Sequence, residues 1–211
     1  MWVPNVVAMT SSAVITPFLT GLAACFGLIA AIGAQNAWVL RQGARREHLG
    51  MVIGICAASD AALIFVGTGA VRTVGALAPW VLEALRWGGV VYLLGFAASS
   101  MRSALRPGAL EQGAVRAASS VALTTLALTW LNPHVYLDTL LMLGTVTNSF
   151  GAARWVAATG AITASALWFT ALGLGARALS GPLSRPATWR VIDGAVGLVM
   201  AGVAAGLALG A

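Results

Sequence analysis

From Met1 to Leu40 the chain carries no charged side chain, and five further apolar stretches follow, each closed by a short connection that is polar or contains proline or glycine. A helix rises about 1.5 Å per residue, so about 20 apolar residues cross a hydrocarbon core of about 30 Å. The stretches run near Ala13–Leu40, Leu49–Val71, Trp87–Met101 (extended backward by the Trp80 region), Ala118–Val146, Trp155–Ala176 and Val191–Leu209. No soluble domain fits between them. Only 9% of the 211 residues are charged and the mean hydropathy is +0.89, whereas ordinary soluble domains carry about 25% charged residues. The expected fold is an all-α integral membrane protein with six transmembrane helices in a single domain, residues 1–211.

All twelve basic residues are arginines, and the net charge is +6. They are spread over the inter-helix connections instead of lining one amphipathic face, which argues against a nucleic-acid partner. The connections after the first, third and fifth stretches hold Arg41, Arg45 and Arg46; Arg102, Arg106 and Arg116; and Arg177, Arg185 and Arg190. Those after the second and fourth hold only Arg72, Arg86 and Arg154. The positive-inside rule therefore places the richer set in the cytoplasm and both termini outside.

Two aspartates break this pattern: Asp60 in CAASDAALIFVG and Asp138 in LNPHVYLDTLLMLG. A carboxylate at bilayer depth costs roughly 2.5 to 3.5 kcal/mol on insertion scales, so such residues mark functional sites by default. No arginine lies at comparable depth in any stretch, which favours carboxylates facing an aqueous or substrate-filled cavity over internal salt bridges.

The fourth stretch must also break. Apart from His134 and Asp138, residues Ala117 to Asn148 are uncharged, and a straight helix of about 30 residues would be about 45 Å long. Pro133 lacks an amide proton and clashes with the carbonyl of Thr129, while Asn132 before it is biased away from helical geometry. Backbone freed at membrane depth is tolerated where it is buried in protein or lines a wet cavity, and transporter sites are built from such breaks. His134 and Asp138, four residues apart, share one face of a helix starting at the break. His134 is placed either to relay protons or to cap freed carbonyls.

A weak internal repeat accompanies the break. Arg86 precedes Trp87-Gly88-Gly89 and Leu94-Gly95, as Arg190 precedes Asp193-Gly194, Gly197 and Gly202; the amide pair Gln35-Asn36 ends the first stretch, as Asn132-Pro133 interrupts the fourth. Half-repeats of about 13–101 and 117–209, with three spans each, enter the membrane in opposite senses. The expected plan is a 3+3 inverted repeat with a discontinuous fourth helix.

Other features read as structural. Cys25 and Cys56 lie in apolar stretches, far from metal-ligand spacing, and are expected as small packing residues without a disulfide, metal or other cofactor. Gly202, Gly206 and Gly210 form a ridge for internal packing or a homodimer face. Trp80, Trp87, Trp155 and Trp189 lie near span ends, as interface anchors do.

The string Ala31-Ile32-Gly33-Ala34-Gln35-Asn36-Ala37-Trp38-Val39-Leu40-Arg41-Gln42-Gly43, then Arg45-Arg46-Glu47-His48 and Cys56-Ala57-Ala58-Ser59-Asp60-Ala61, resembles the first half of the bacterial lysine/arginine exporter family. Thr129-Trp130-Leu131-Asn132-Pro133-His134-Val135-Tyr136-Leu137-Asp138-Thr139 resembles its second signature almost letter for letter. The resemblance covers most of the chain in order. One departure is Ala34, where the family commonly has the proline of Gly-Pro-Gln-Asn, so the residue that would force a break in the first helix is missing.

The resemblance implies export of basic amino acids from the cytoplasm across the bacterial inner membrane, driven by the proton motive force. Carried over by position, it implies Gln35, Asn36, Asp60, Asn132, His134 and Asp138 as the substrate-binding set, with Asp60 and Asp138 coupling to protons. The chemistry fits: a cationic substrate needs buried counter-charges, and a carboxylate that binds either a proton or a cation couples the two by competition. The implied partners are a basic amino acid, protons and the lipid bilayer, and no enzymatic activity is expected. Export of neutral amino acids or divalent metal ions remains open on these residues. An intramembrane aspartyl protease would also need two aspartates, but Asp138 lacks a glycine-bracketed setting.

Overall fold

The computed structural model describes residues 11–30, 33–74, 79–105, 117–183 and 185–209, and their regular structure is helical throughout. Helices α1 (Ser11–Ile29) and α2 (Ala34–Arg45) are followed by α3 (Leu49–Val74), α4 (Pro79–Leu105) and α5 (Ala118–Trp130). A short α6 (Pro133–Tyr136) runs into a π-helical segment, Leu137–Leu143, and then α7 (Gly144–Asn148). Helices α8 (Arg154–Ala178), α9 (Ser180–Leu183) and α10 (Pro186–Leu209) complete the chain.

Three segments among the described residues are each long and apolar enough to cross a membrane: Leu49–Ala70, Gly151–Ala178 and Ala187–Gly206. A fourth is the pair α1 and α2, bent by 83° at their junction. The exterior agrees with a bilayer as solvent. Ile15, Phe65, Val91, Leu123, Val191 and Leu198 all leave more than half of their surface exposed, an apolar exterior that water-soluble monomers avoid. The protein is a multi-helix membrane protein.

Both breaks form. The first does so without a proline: Gly33 is extended (φ −98°, ψ −171°), and Asn36 Nδ2 donates to the freed carbonyl of Ile29 at 2.8 Å. At the second, Asn132 and Pro133 end α5, and the Tyr136 hydroxyl donates to the Trp130 carbonyl at 2.7 Å. In each case a side chain just beyond the break satisfies a backbone acceptor that the break leaves without its helical partner.

Small residues set the packing. A Cβ at Gly21 of α1 would overlap the Ala157 carbonyl of α8, and one at Gly160 would overlap the Phe18 carbonyl of α1. These helices therefore cross backbone on backbone, as small residues allow in membranes. Helix α3 lies along α5, the π segment and α7, and also meets α8, while α4 packs against α10. Cys25 and Cys56 are buried thiols within the apolar core. A side chain at Gly202 or Gly206 would touch nothing within 4 Å among the described residues, and Gly210 lies outside them.

Two local expectations change. Trp189 is not an interface anchor: it is buried, its Nε1 donates to the Leu183 carbonyl at 2.5 Å, and the Arg41 guanidinium sits 5.0 Å from its ring centre. The helix after Pro133 does not continue as a plain α-helix through Asp138, because from Leu137 the backbone is π-helical, with hydrogen bonds one residue longer. Gly67 of α3 makes room for that wider turn: a Cβ there would come within 2.6 Å of the Thr139 carbonyl oxygen and 2.9 Å of Leu140 Cα.

Candidate functional site

The two breaks face each other across a cavity of about 80 Å³. Helix α2 contributes Gln35 and Asn36 from its first turn, α3 contributes Asp60, Asn132 comes from the second break, and the π segment contributes Asp138 and Thr139. Cys25, Ile64, Leu143, Phe169 and Met200 supply apolar walls. Five of the six side chains expected from the sequence thus line one enclosure. The sixth, His134, belongs to α6, and its side chain lies outside the described residues.

Helix geometry explains the convergence. An α-helix that ends in mid-membrane exposes its terminal backbone groups, and residues flanking the gap project into the space the missing turn would fill. Asp60 arrives differently, from the interior of unbroken α3. It is buried, and its Oδ2 accepts a hydrogen bond from Ser165 Oγ of α8 at 2.7 Å. Ser165 is a neutral partner, so it satisfies one lone pair without cancelling the charge. The ion pairs Arg41–Asp193 and Arg45–Glu47 lie outside the lining of this cavity.

The amides are arranged around the carboxylates. Asn36 is held from both ends: its Nδ2 donates to Ile29, and its Oδ1 accepts from Trp168 Nε1 at 3.2 Å. Gln35 differs, because its buried Nε2 has no hydrogen-bond partner among the described residues. An unmet donor inside protein costs about 1–3 kcal/mol, so an acceptor on a ligand in the cavity is a natural recipient. Trp130 Nε1 donates to Ser59 Oγ at 3.0 Å and ties the rim of the second break to α3 one residue before Asp60.

Sequence reasoning missed three contributors. Ser165 sits in an unremarkable apolar stretch, and nothing local marks it as the partner of Asp60. The π segment has no known composition signal here, although the close-packed Gly67 is its imprint on α3. Asp193, named in the sequence only as part of the internal repeat, is a second buried carboxylate in addition to Asp60: Arg41 Nη2 lies 2.7 Å from its Oδ1, and Ser103 Oγ donates to its Oδ2 at 2.7 Å. Its place seven residues after Pro186, well inside α10, was the available signal.

Apolar helices around a cavity that holds carboxylates and amides at two helix breaks define a membrane transport protein. The chain belongs to the LysE type translocator family, which it matches over residues 26–211. It is 39% identical to the lysine exporter LysE of Corynebacterium efficiens, across 91% of this chain and 98% of that protein. It is 41% identical to the arginine exporter protein ArgO of Pectobacterium carotovorum, across 90% and 96%. A putative amino-acid transporter, YggA of Aeromonas salmonicida, is 42% identical across 92% and 96%. No solved structure matches the chain.

Proposed function

We propose that this protein exports basic L-amino acids, arginine and/or lysine, from the cytoplasm across the bacterial inner membrane in exchange for protons. The observation that carries the reading is the convergence of Asp60 and Asp138 on one cavity together with the amides of Gln35, Asn36 and Asn132. Two acidic groups on one cavity wall supply the negative charge that a cationic substrate needs at membrane depth. Membership of the translocator family and similarity to proteins named as lysine and arginine exporters support the same substrate class.

The roles follow from chemistry. Asp60 and Asp138 act as counter-charges for the side-chain cation of the substrate. Gln35, Asn36 and Asn132 offer amide donors and acceptors to its α-amino and α-carboxylate groups, and His134 stands beside the second break. Carrying one positive charge outward against an inside-negative potential costs about 2.3 kcal/mol per 100 mV, a term that an inbound proton cancels. A carboxylate that takes a proton or the substrate cation, never both together, links the two movements.

Six spans in an inverted 3+3 repeat supply the moving frame. Exchanging α1 and α2 with α5 to α7, α3 with α8, and α4 with α10 turns the α1–α8 contact into the contact of α3 with the broken fourth element. It leaves the α3–α8 and α4–α10 contacts in place. Asp60 and Ser165 also lie equally far from the first residues of α3 and α8, Leu49 and Arg154, so their hydrogen bond falls where such an axis would pass. The arginine-rich connections after α2, α4 and α8 face the cytoplasm in this arrangement, by the positive-inside rule.

Growth of an exporter-deficient bacterium on the toxic arginine analogue canavanine tests the reading. Expression of this chain should restore resistance, and Asp60→Asn or Asp138→Asn should abolish it at unchanged protein level. Normal resistance in both amide variants would reduce the carboxylates to structural residues and remove the basis for cation export.

A further inference from the structure

A second concentration of charge lies apart from the inner cavity, where α2, α4 and α10 meet. Arg41 of α2 and Asp193 of α10 form an ion pair at 2.7 Å, and Ser103 of α4 donates to the other carboxylate oxygen. Beside them opens a cavity of about 160 Å³, lined by Trp38, Arg41, Ser99, Ser100, Ser103 and Asp193 among others. Ala34 lines both, so the first turn of α2 is the partition between them.

An ion pair that only fastened helices together would be packed without a void, since empty space beside buried charge forfeits contacts. This pair instead borders polar space on a helix face where Ser99 and Ser103, four residues apart, stack one turn over the other. Its two members carry opposite charge about one ion-pair length apart, which is the pattern complementary to the ammonium and carboxylate of an α-amino acid. The Arg41 side chain is 39% exposed and that of Asp193 is 7% exposed. Arg41 can therefore swing outward without leaving water, while Asp193 keeps the Ser103 hydroxyl.

We propose that this outer cavity is a second binding site, for the zwitterionic head of an α-amino acid, with the α-carboxylate on Arg41 and the α-ammonium on Asp193. The inference rests on the amino-acid reading above. Binding exchanges one ion pair for two, so no buried charge is left without a partner. The outer site recognises the head group common to all α-amino acids, and the inner carboxylates select the cationic side chain.

The test is equilibrium binding of radiolabelled L-arginine to the full-length protein in nanodiscs. The unaltered protein should bind two arginines per chain, and the double variant Arg41→Gln/Asp193→Asn, in which neither charge is left alone, should bind one. In the Asp60→Asn/Asp138→Asn background one arginine should remain; L-alanine should compete for it, and agmatine, which lacks the carboxylate, should not. Undiminished stoichiometry in Arg41→Gln/Asp193→Asn, or agmatine competing as well as alanine, would overturn the outer site.

A second measurement leaves the ion pair intact. Ser99→Cys places a thiol on the cavity wall, and both native cysteines are buried. L-Arginine should slow its maleimide labelling several-fold in the Asp60→Asn background, and an unchanged rate would equally overturn the site. The two readings fail separately: two arginines still bound by Asp60→Asn/Asp138→Asn would count against the inner carboxylates, whereas the outer site stands or falls on Arg41 and Asp193.

Discussion

Asp60 and Asp193 are equally buried, each 5% exposed, yet they sit in opposite electrostatic company. Asp193 has an arginine at 2.7 Å and a serine on its second oxygen; Asp60 is met by the hydroxyl of Ser165. Burial alone therefore says little about what a membrane carboxylate does. The charge of its neighbour separates one paired with an arginine from one met by a neutral hydroxyl.

The largest expected effect comes from turning the first kind into the second. Arg41→Ala removes the cation from Asp193. Breaking a buried pair costs about 3–5 kcal/mol, and the partial exposure of Arg41 reduces this to about 2 kcal/mol through solvent screening. Unfolding in mixed micelles should show the loss, and Arg41→Gln/Asp193→Asn should recover most of it. Asp60→Asn should instead match or exceed the unaltered protein in stability, as substitutions at functional sites often do. A loss in Asp60→Asn as large as that in Arg41→Ala would erase the contrast.

A smaller change sharpens it from the inner side. Ser165→Ala takes away the hydrogen bond to Asp60, an interaction with a charged group worth about 1.5 kcal/mol, or roughly tenfold in an equilibrium constant. The half-saturating arginine concentration for export from loaded vesicles should shift by that factor, with expression unchanged. An unaltered value would mean that Ser165 does not tune the carboxylate.

The smallest effect is expected where neither charge nor cavity is involved. Thr68 and Thr147 share a hydrogen bond at 3.0 Å between α3 and α7, and such interhelical bonds in membranes average about 0.6 kcal/mol. Thr68→Val should cost about that much in the micelle unfolding assay and leave canavanine resistance intact. A cost rivalling that of Arg41→Ala would show that uncharged polar contacts hold this bundle as firmly as its ion pair.

Much of this was legible in the residues. Asp60, Asp138, Gln35, Asn36 and Asn132 announce themselves because polar groups at bilayer depth are costly, and Pro133 compels a break by removing a donor. The break near Gly33 was not compelled once alanine replaced proline; it depends on the amide of Asn36 reaching back to Ile29, a contact visible only in three dimensions. Ser165 and the Arg41–Asp193 pair escaped for the same reason: their partners lie 105 and 152 residues away in the chain. Periodicity places helices, but it does not say which faces meet. Trp189 was misread because a tryptophan near a span end resembles an interface anchor until a guanidinium is found above its ring.

The crossing of α1 and α8 at Gly21 and Gly160 has a mechanical meaning. Two helices whose main chains touch have no layer of side chains between them to repack, so sliding one past the other meets hard repulsion at once. They behave as a single strut. In the proposed export cycle, a rearrangement that opened the vault to either side of the membrane would pivot around that strut, with hinges at the interruptions in the first and fourth elements.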